Sequence, residues 1–186
     1  IGAGARATVT TQAAEKLYRA ADDEADTQID IAVRVGTGAY AEWLAQETIL
    51  FDRARLRRRL VAELAPGARL LAVESIVFGR RAMDEDYRHG RLHDSWHIRC
   101  GGRLVWADAL HLAGDIDAQR AAPYGFGTAC GSATVLYAGE DAAQQLDAVR
   151  AALLETAPDS GATVIDGVLV ARLLADDAVQ LRHAVA

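Results

Sequence analysis

The chain has 186 residues, of which 51% are hydrophobic and 25% charged, and its formal net charge at pH 7 is −6. A chain of this length can fold as one domain with a buried core, and the composition is that of an ordinary soluble globular protein. The acidic balance argues against non-specific nucleic-acid binding, which needs a basic surface. We find neither a signal peptide nor an apolar run long enough to span a bilayer, and Cys100 and Cys130 are far apart. We therefore expect a cytoplasmic protein with reduced thiols and no membrane partner.

Alternating patterns predict strands in most of the first 138 residues. From Gln28 to Val35 every second residue is a branched apolar one, the period of a half-buried strand. A further strand is predicted to begin at Tyr40. The run from Arg55 to Leu64 fits both a helix face and a strand. We interpret it as a strand because Pro66-Gly67 predicts a tight turn, which leads into a similar run from Arg69 to Phe78.

Several of the predicted strands begin with the same short motif, and one longer segment recurs. A looser copy of the motif starts at Gly102, and Glu47 to Asp52 resembles Glu74 to Gly79. Repetition at intervals of about 30 residues is typical of stacked units. We predict a mainly β fold, either a β-helix-like or layered β-sheet solenoid, with a sandwich as the alternative. The three close copies are Gly4-Ala5-Arg6-Ala7, Gly38-Ala39-Tyr40-Ala41 and Gly67-Ala68-Arg69-Leu70.

Helical signals are confined to the C-terminal part. An amphipathic segment begins after Asp141, a residue type that commonly caps helices, and its apolar residues recur at helical spacing. Thr163 to Val170 predicts a hairpin with Asp166-Gly167 at its tip. A last helix is predicted to begin near Asp176. The sequence therefore predicts two α-helices near the C-terminal end.

The segment from Glu42 to Asp52 places acidic groups among apolar residues. Burial of the apolar residues would take Glu42 and Glu47 partly out of water, and a buried carboxylate must be paired, hydrogen-bonded, protonated or bound to a cation. Individually, these residues and Glu74 fit strand-end carboxylates bonded to backbone or to Arg80. Together they predict an inward-facing polar lining inside the β-structure. Paired carboxylates in a hydrolase are a further alternative.

Two other groups of side chains allow more than one interpretation. His89, His93 and His97 are spaced by four residues, which on a helix would place three imidazoles on one face as a zinc or nickel site. On a strand or a loop this spacing has no such meaning. The five arginines between Arg53 and Arg59 fit a solvated face, or alternatively the contact surface of an acidic partner.

Three segments, in the same order, strongly resemble the urease accessory protein family UreD, called UreH in some organisms. The likeness continues through Val170 to Leu174. It therefore covers nearly all of residues 1–186, which we interpret as a single UreD-like domain that lacks the family's N-terminal segment and C-terminal tail. The three segments are Thr11 to Arg19, Glu42 to Glu47 with Phe51-Asp52, and Glu74 with Gly79-Arg80.

The resemblance implies a scaffold and not an enzyme. It implies binding to UreF, which holds the GTPase UreG, and docking of this assembly on apo-urease. It also implies a passage for transient nickel(II), with no tightly bound cofactor. The alternative is a metallochaperone that holds nickel itself at His89, His93 and His97. The candidates for the passage or for partner contact are Gln12, Lys16, Tyr18, Glu42, Trp43, Gln46, Glu47, Asp52, Glu74 and Arg80.

Overall fold

The computed structural model describes residues 1–21, 25–157 and 159–185. The strands are β1 (Arg6–Thr10), β2 (Glu15–Leu17), β3 (Thr27–Val35), β4 (Tyr40–Leu44), β5 (Thr48–Leu50), β6 (Arg55–Leu64), β7 (Arg69–Phe78), β8 (His89–Cys100), β9 (Arg103–Asp115), β10 (Gly131–Ala138), β11 (Ser160–Ile165) and β12 (Val168–Ala175). The helices are α1 (Ile116–Ala121), α2 (Ala142–Thr156) and α3 (Ala178–Val185). The mainly β fold and the two sizeable late helices are as predicted. Helix α1 was not predicted, because its 6 residues are too few to show a helical period.

The strands form two sheets, between which the chain alternates. Sheet I has the order β1-β4-β7-β10-β12-β11, and β5 joins β2 to β7 in the same sheet. Sheet II has the order β3-β6-β8-β9. Successive passes of the chain add parallel strands to each sheet, up to β7 in sheet I and β8 in sheet II. The later strands β9, β10, β11 and β12 are antiparallel to their neighbours.

The three close copies of the repeated motif stack directly on one another in sheet I. Arg6 lies opposite Tyr40, and Tyr40 lies opposite Arg69. The looser copy at Gly102 is not part of this stack, because it lies in the turn between β8 and β9 of sheet II. The copy of the motif at Gly102 therefore marks an ordinary hairpin turn and not a further stacked unit.

The second repetition also pairs, with a shift of one residue. β5 lies beside β7, but Thr48 is opposite Ile76. Its counterpart in the repeated segment, Ser75, is one residue earlier. The cause is a difference in length, since four steps separate Leu44 from Thr48 whereas three separate Val73 from Ile76 on β7. The extra residue interrupts the ladder between β4 and β5.

The main core lies between the two sheets and follows the predicted alternation. In β6 the residues Leu56, Leu60, Ala62 and Leu64 are buried, and they pack with inward residues of β7 such as Leu70. The strand interpretation of Arg55 to Leu64 is therefore confirmed. The same alternation places Arg58 at an inward position, between Leu56 and Leu60.

Helices α2 and α3 cover part of the outer face of sheet I. Leu153 of α2 and Leu181 of α3 are buried in a cluster that contains Ala133 of β10 and Leu173 of β12. Asp141 is the N-cap residue of α2 as predicted, but its side chain makes no capping bond to the helix backbone. Of the described helices, none is both long and apolar enough to cross a membrane.

Candidate functional site

A buried arginine between the sheets holds two buried carboxylates. Arg58 is 2% exposed, and its Nε and Nη2 donate to the two carboxylate oxygens of Asp94 on β8, at 3.1 and 2.7 Å. Its Nε also lies 3.2 Å from Oε2 of Glu74, which is 3% exposed and belongs to the opposite sheet. The guanidinium therefore bridges sheets I and II through charged groups.

A third carboxylate reaches the same arginine through a hydroxyl. Arg58 Nη1 donates to Thr48 Oγ1 at 2.9 Å, and this hydroxyl in turn donates to Glu15 Oε2 at 3.3 Å. Thr48 is fully buried on β5. Three carboxylates thus surround one cation, and the group carries excess negative charge whenever all three are ionised. We call Arg58, Glu74, Asp94, Glu15 and Thr48 the acidic cluster.

Glu74 is the least satisfied member of the acidic cluster. Burial raises the pKa of its carboxyl to about 7; the charge of Arg58 opposes this shift, and the charge of Asp94 adds to it. Neither carboxylate oxygen of Glu74 has a partner with hydrogen-bond geometry. Its contact with Arg58 is therefore an ion pair only, whereas Asp94 receives two well-formed bonds. Burial by itself would lower the pKa of Arg58, but Glu74 and Asp94 outweigh that effect and the net shift is upward.

The acidic cluster borders a cavity of about 490 Å³ between the sheets. Glu74 and Asp94 line one side of it, and Asp108 of β9 and Arg172 of β12 form an ion pair across it. The cavity wall therefore combines carboxylates and one arginine with apolar side chains such as Ile76 and Leu110. Its other polar lining residues are Ser132, Thr134, Asp159 and Ser160.

The structure separates the three glutamates that the sequence suggested would face inward. Glu74 does so, but its partner is Arg58; Arg80 instead pairs with Glu85. Glu42 lies on the outer face of sheet I, because the preceding Ala41 is part of the inter-sheet core. The expectation of one shared lining is therefore wrong for Glu42.

Glu42 and Glu47 are both satisfied outside the inter-sheet cavity. A hydrogen bond from Thr8 lowers the pKa of Glu42, which also pairs with Arg6 at 3.4 Å. Glu47 pairs with Arg182 of α3, at the rim of a separate cavity of about 420 Å³ on the outer side of sheet I. Neither glutamate contributes to the acidic cluster.

Of the remaining candidates, only Trp43 lies near the acidic cluster. Its indole packs against the inter-sheet core and interacts with Glu74, which opposes the rise in the pKa of that carboxyl. Gln12 and Lys16 are exposed, and the backbone N–H of Gln46 donates to Thr11 Oγ1. Gln12, Lys16 and Gln46 therefore do not contribute to the acidic cluster.

Tyr18, Asp52 and Arg80 meet around Phe51. The ring of Tyr18 meets the ring of Phe51 edge-on at 4.8 Å, and the guanidinium of Arg80 lies 4.1 Å from the centre of the Phe51 ring. Asp52 accepts hydrogen bonds from the backbone N–H groups of Arg88 and His89. Tyr18 remains 68% exposed, so this group presents an aromatic ring to solvent.

The three predicted histidine ligands lie on a strand. His89, His93 and His97 are all in β8, where four residues extend about 13 Å. The helical condition for a shared metal site is therefore not met. Among residues 1–21, 25–157 and 159–185, no group of three His, Cys, Asp or Glu side chains is placed to hold a metal ion.

Sequence reasoning missed Arg58, Asp94 and Glu15 as members of the site. A usable signal was present for two of them, because Arg58 and Asp94 occupy inward positions of otherwise apolar alternating strands. A charged residue in the phase of the buried positions indicates a buried ion pair. The arginine run from Arg53 to Arg59 is therefore not uniformly solvated, since one member is in the core.

The pH dependence of stability tests whether the pKa of Glu74 is raised by its burial. A folded-state pKa of about 7, above the ordinary value of 4.5, means that the contribution of Glu74 to stability is fully present below about pH 4.5 and is lost as the pH rises through 7. Glu74→Gln should remove this loss, which we expect to be on the order of 1–3 kcal/mol. Urea midpoints at several pH values measure it, with Glu63→Gln on the outer face of sheet II as the control. An unchanged slope in Glu74→Gln would contradict the assignment.

The fold and site define a mainly β protein in which a small group of buried charged residues lies between two sheets and borders a cavity. The family model of the UreD urease accessory protein matches residues 1–186. The chain belongs to the UreD family of urease accessory proteins.

Individual relatives support the family match. The chain is 45% identical over 189 residues to the urease accessory protein UreD of a Methylobacterium species, covering 99% of this chain and 66% of the relative. It is 48% identical over 180 residues to UreD of Magnetococcus marinus, with 94% and 62% covered, and 44% identical over 184 residues to UreD of Azorhizobium caulinodans, with 97% and 66% covered. The chain thus spans 62–66% of the length of these relatives. They are named as accessory proteins, which agrees with the prediction that this chain is not an enzyme.

Proposed function

We propose that this chain acts in urease maturation, as a scaffold through which nickel(II) passes on its way to apo-urease. The observation that carries the proposal is membership in the UreD family over all 186 residues. Nickel is the cargo here and not a resident cofactor. The two cysteines are free, which supports a reducing compartment such as the cytoplasm.

The acidic cluster and its cavity support a route for a cation. Carboxylate oxygens attract a divalent ion but hold it less firmly than a set of thiolates and imidazoles does. Glu74 suits transfer in particular, because neither of its oxygens accepts a hydrogen bond of good geometry, so that a passing ion would compete mainly with the ion pair to Arg58. Asp108 and Asp159 continue the acidic lining of the cavity beyond Glu74. A passing ion would therefore meet several weak oxygen ligands in succession.

The partners we propose are UreF, UreG held through UreF, and apo-urease. The exposed group around Phe51 supports one of these contacts, since Tyr18 and Arg80 are of the types that dominate interface energies. Tyr18 is 68% exposed, and the Arg80 side chain is 41% exposed. We further propose that the stacked parallel passes of the chain form the β-helix-like arrangement implied by the family resemblance. The alternative of a nickel-holding chaperone lacks a supporting geometry at the three histidines.

Nickel content of matured urease tests the passage. We expect Glu74→Gln to lower the nickel bound per urease several-fold when the chain is co-expressed with UreF, UreG and apo-urease, because the substitution removes one charge from the cavity wall. Glu42→Gln is the matched control, because Glu42 lies on β4, the strand beside β7 in sheet I, but on the outer face of that sheet. Metal analysis of purified urease gives the result.

The same experiment separates two kinds of failure. Full nickel in urease matured with the Glu74→Gln chain would contradict the passage and leave the scaffold role intact. A native chain that neither co-purifies with UreF nor raises the nickel content of urease would contradict the maturation role itself.

A further inference from the structure

The outer face of sheet II carries a group of cationic and imidazole side chains. Because Arg58 points into the core, its neighbours Arg57 and Arg59 on β6 point to the opposite side. Arg57 lies opposite His93 of β8, and His93 lies opposite His111 of β9. These three side chains form a row across adjacent strands, which are about 4.8 Å apart. We call Arg57, Arg59, His93, His97 and His111 the basic face.

The two arginines of the basic face have no neutralising partner among the residues that the structure describes. Neither Arg57 nor Arg59 has a carboxylate within 4.0 Å there, although Asp30 lies opposite Arg59 in the ladder. By contrast, Arg55 of the same strand pairs with Asp26 at 2.7 Å. Two arginines without an ion pair on one face of a strand stand out in a chain of net charge −6.

The shape of the basic face suits an extended chain. Arg57, Arg59, His93 and His97 border a shallow groove of about 530 Å³, whose other lining residues are Ser95, Ala107, Asp108 and Ala109. The carboxylate of Asp108 is already paired with Arg172 of sheet I. The groove also holds an unsatisfied polar atom, since Nδ1 of His97 is buried without a hydrogen-bond partner. Helices α2 and α3 pack on sheet I and not on this face.

We propose that the basic face is a docking surface for an acidic segment of a partner protein, an extended run rich in Asp and Glu. Arginine forks pair with carboxylates through two parallel hydrogen bonds, and imidazole N–H groups add further donors. The spacing of Arg57 and Arg59 on one side of a strand matches carboxylates on alternate residues of an extended peptide. This inference goes beyond the proposed nickel passage and does not depend on it, because the passage lies on the other side of sheet II.

A labelled peptide of eight glutamates tests the proposal with the whole 186-residue chain. Fluorescence anisotropy of the peptide measures binding. We expect the peptide to bind at about 0.05 M salt and its affinity to fall markedly at about 0.3 M. The double variant Arg57→Gln/Arg59→Gln should bind about five- to tenfold more weakly. Arg19→Gln/Arg150→Gln changes the net charge equally at exposed positions elsewhere and should bind like the native chain. Equal urea midpoints establish that all three proteins are folded.

Three outcomes would overturn the proposal. The first is the absence of peptide binding at low salt, and the second is an equal loss in both double variants, which would indicate a general charge effect. The third is equally tight binding of an oligothymidylate of the same length, which would assign the basic face to nucleic acid instead of an acidic protein segment.

Discussion

Replacing Arg58 with methionine is expected to lower the free energy of unfolding by about 3–5 kcal/mol at neutral pH. Asp94 and Glu74 would remain buried with no cation between them, and the two well-formed hydrogen bonds to Asp94 would be lost. Desolvation of an unpaired charge is costly, so the effect should exceed that of deleting an exposed ion pair. Urea denaturation followed by circular dichroism measures it.

Two further variants make this prediction specific. Arg57→Met, one residue away but exposed, should change the stability by no more than about 0.5 kcal/mol. Replacing the whole group with apolar residues, as in Arg58→Met/Glu74→Leu/Asp94→Leu, should recover most of the loss because no charge is then buried. A loss below about 1 kcal/mol in Arg58→Met would show that water reaches the acidic cluster and that its carboxylates are not desolvated.

The second large effect is expected from Gly90→Ala, at about 2–4 kcal/mol. Gly90 has a φ of +139°, and a Cβ there would lie 2.3 Å from the carbonyl oxygen of Ala54 and 2.7 Å from the hydroxyl of Tyr87. Tyr87 is fully buried and donates to that same carbonyl at 3.1 Å, so it cannot move aside without losing a buried hydrogen bond. Both backbone strain and overpacking therefore oppose the substitution.

The matched control is Gly161→Ala in β11. A Cβ at Gly161 meets no atom within 4 Å, and its φ is in the ordinary range. We expect no loss, or a small gain from the lower entropy of the unfolded chain. Thermal unfolding of both variants measures the difference; a Gly90→Ala protein as stable as Gly161→Ala would show that the loop before β8 rearranges freely.

Local patterns in the sequence predicted the strands well and the site only in part. The alternation in β3 and β6 and the Asp166-Gly167 hairpin depend on neighbouring residues, so they could be recognised directly. The prediction of a buried acidic group was correct for Glu74 because its strand is apolar on both sides. It failed for Glu42, since alternation shows that two residues share a face but not which face meets the core.

The partner of Glu74 could not be inferred from local patterns. Arg80 was the obvious choice because it is six positions away and close in sequence, but Glu74 and Arg58 belong to different sheets. Their contact depends on how sheet I packs over sheet II, which no local pattern of the sequence records. Asp94 joins the acidic cluster because the parallel register of β6 and β8 places it opposite Arg58.

The parallel stacking of the strands has a consequence for the order of folding. Residues paired in these ladders are about 30 positions apart, so each ladder can form only after a long loop closes. The hairpins β8–β9 and β11–β12 have two-residue connections and need no such closure. We expect these two hairpins to form first, β8 then serving as the template on which β6 and β3 assemble, against their order in the chain. We therefore expect the N-terminal half of this chain to fold last.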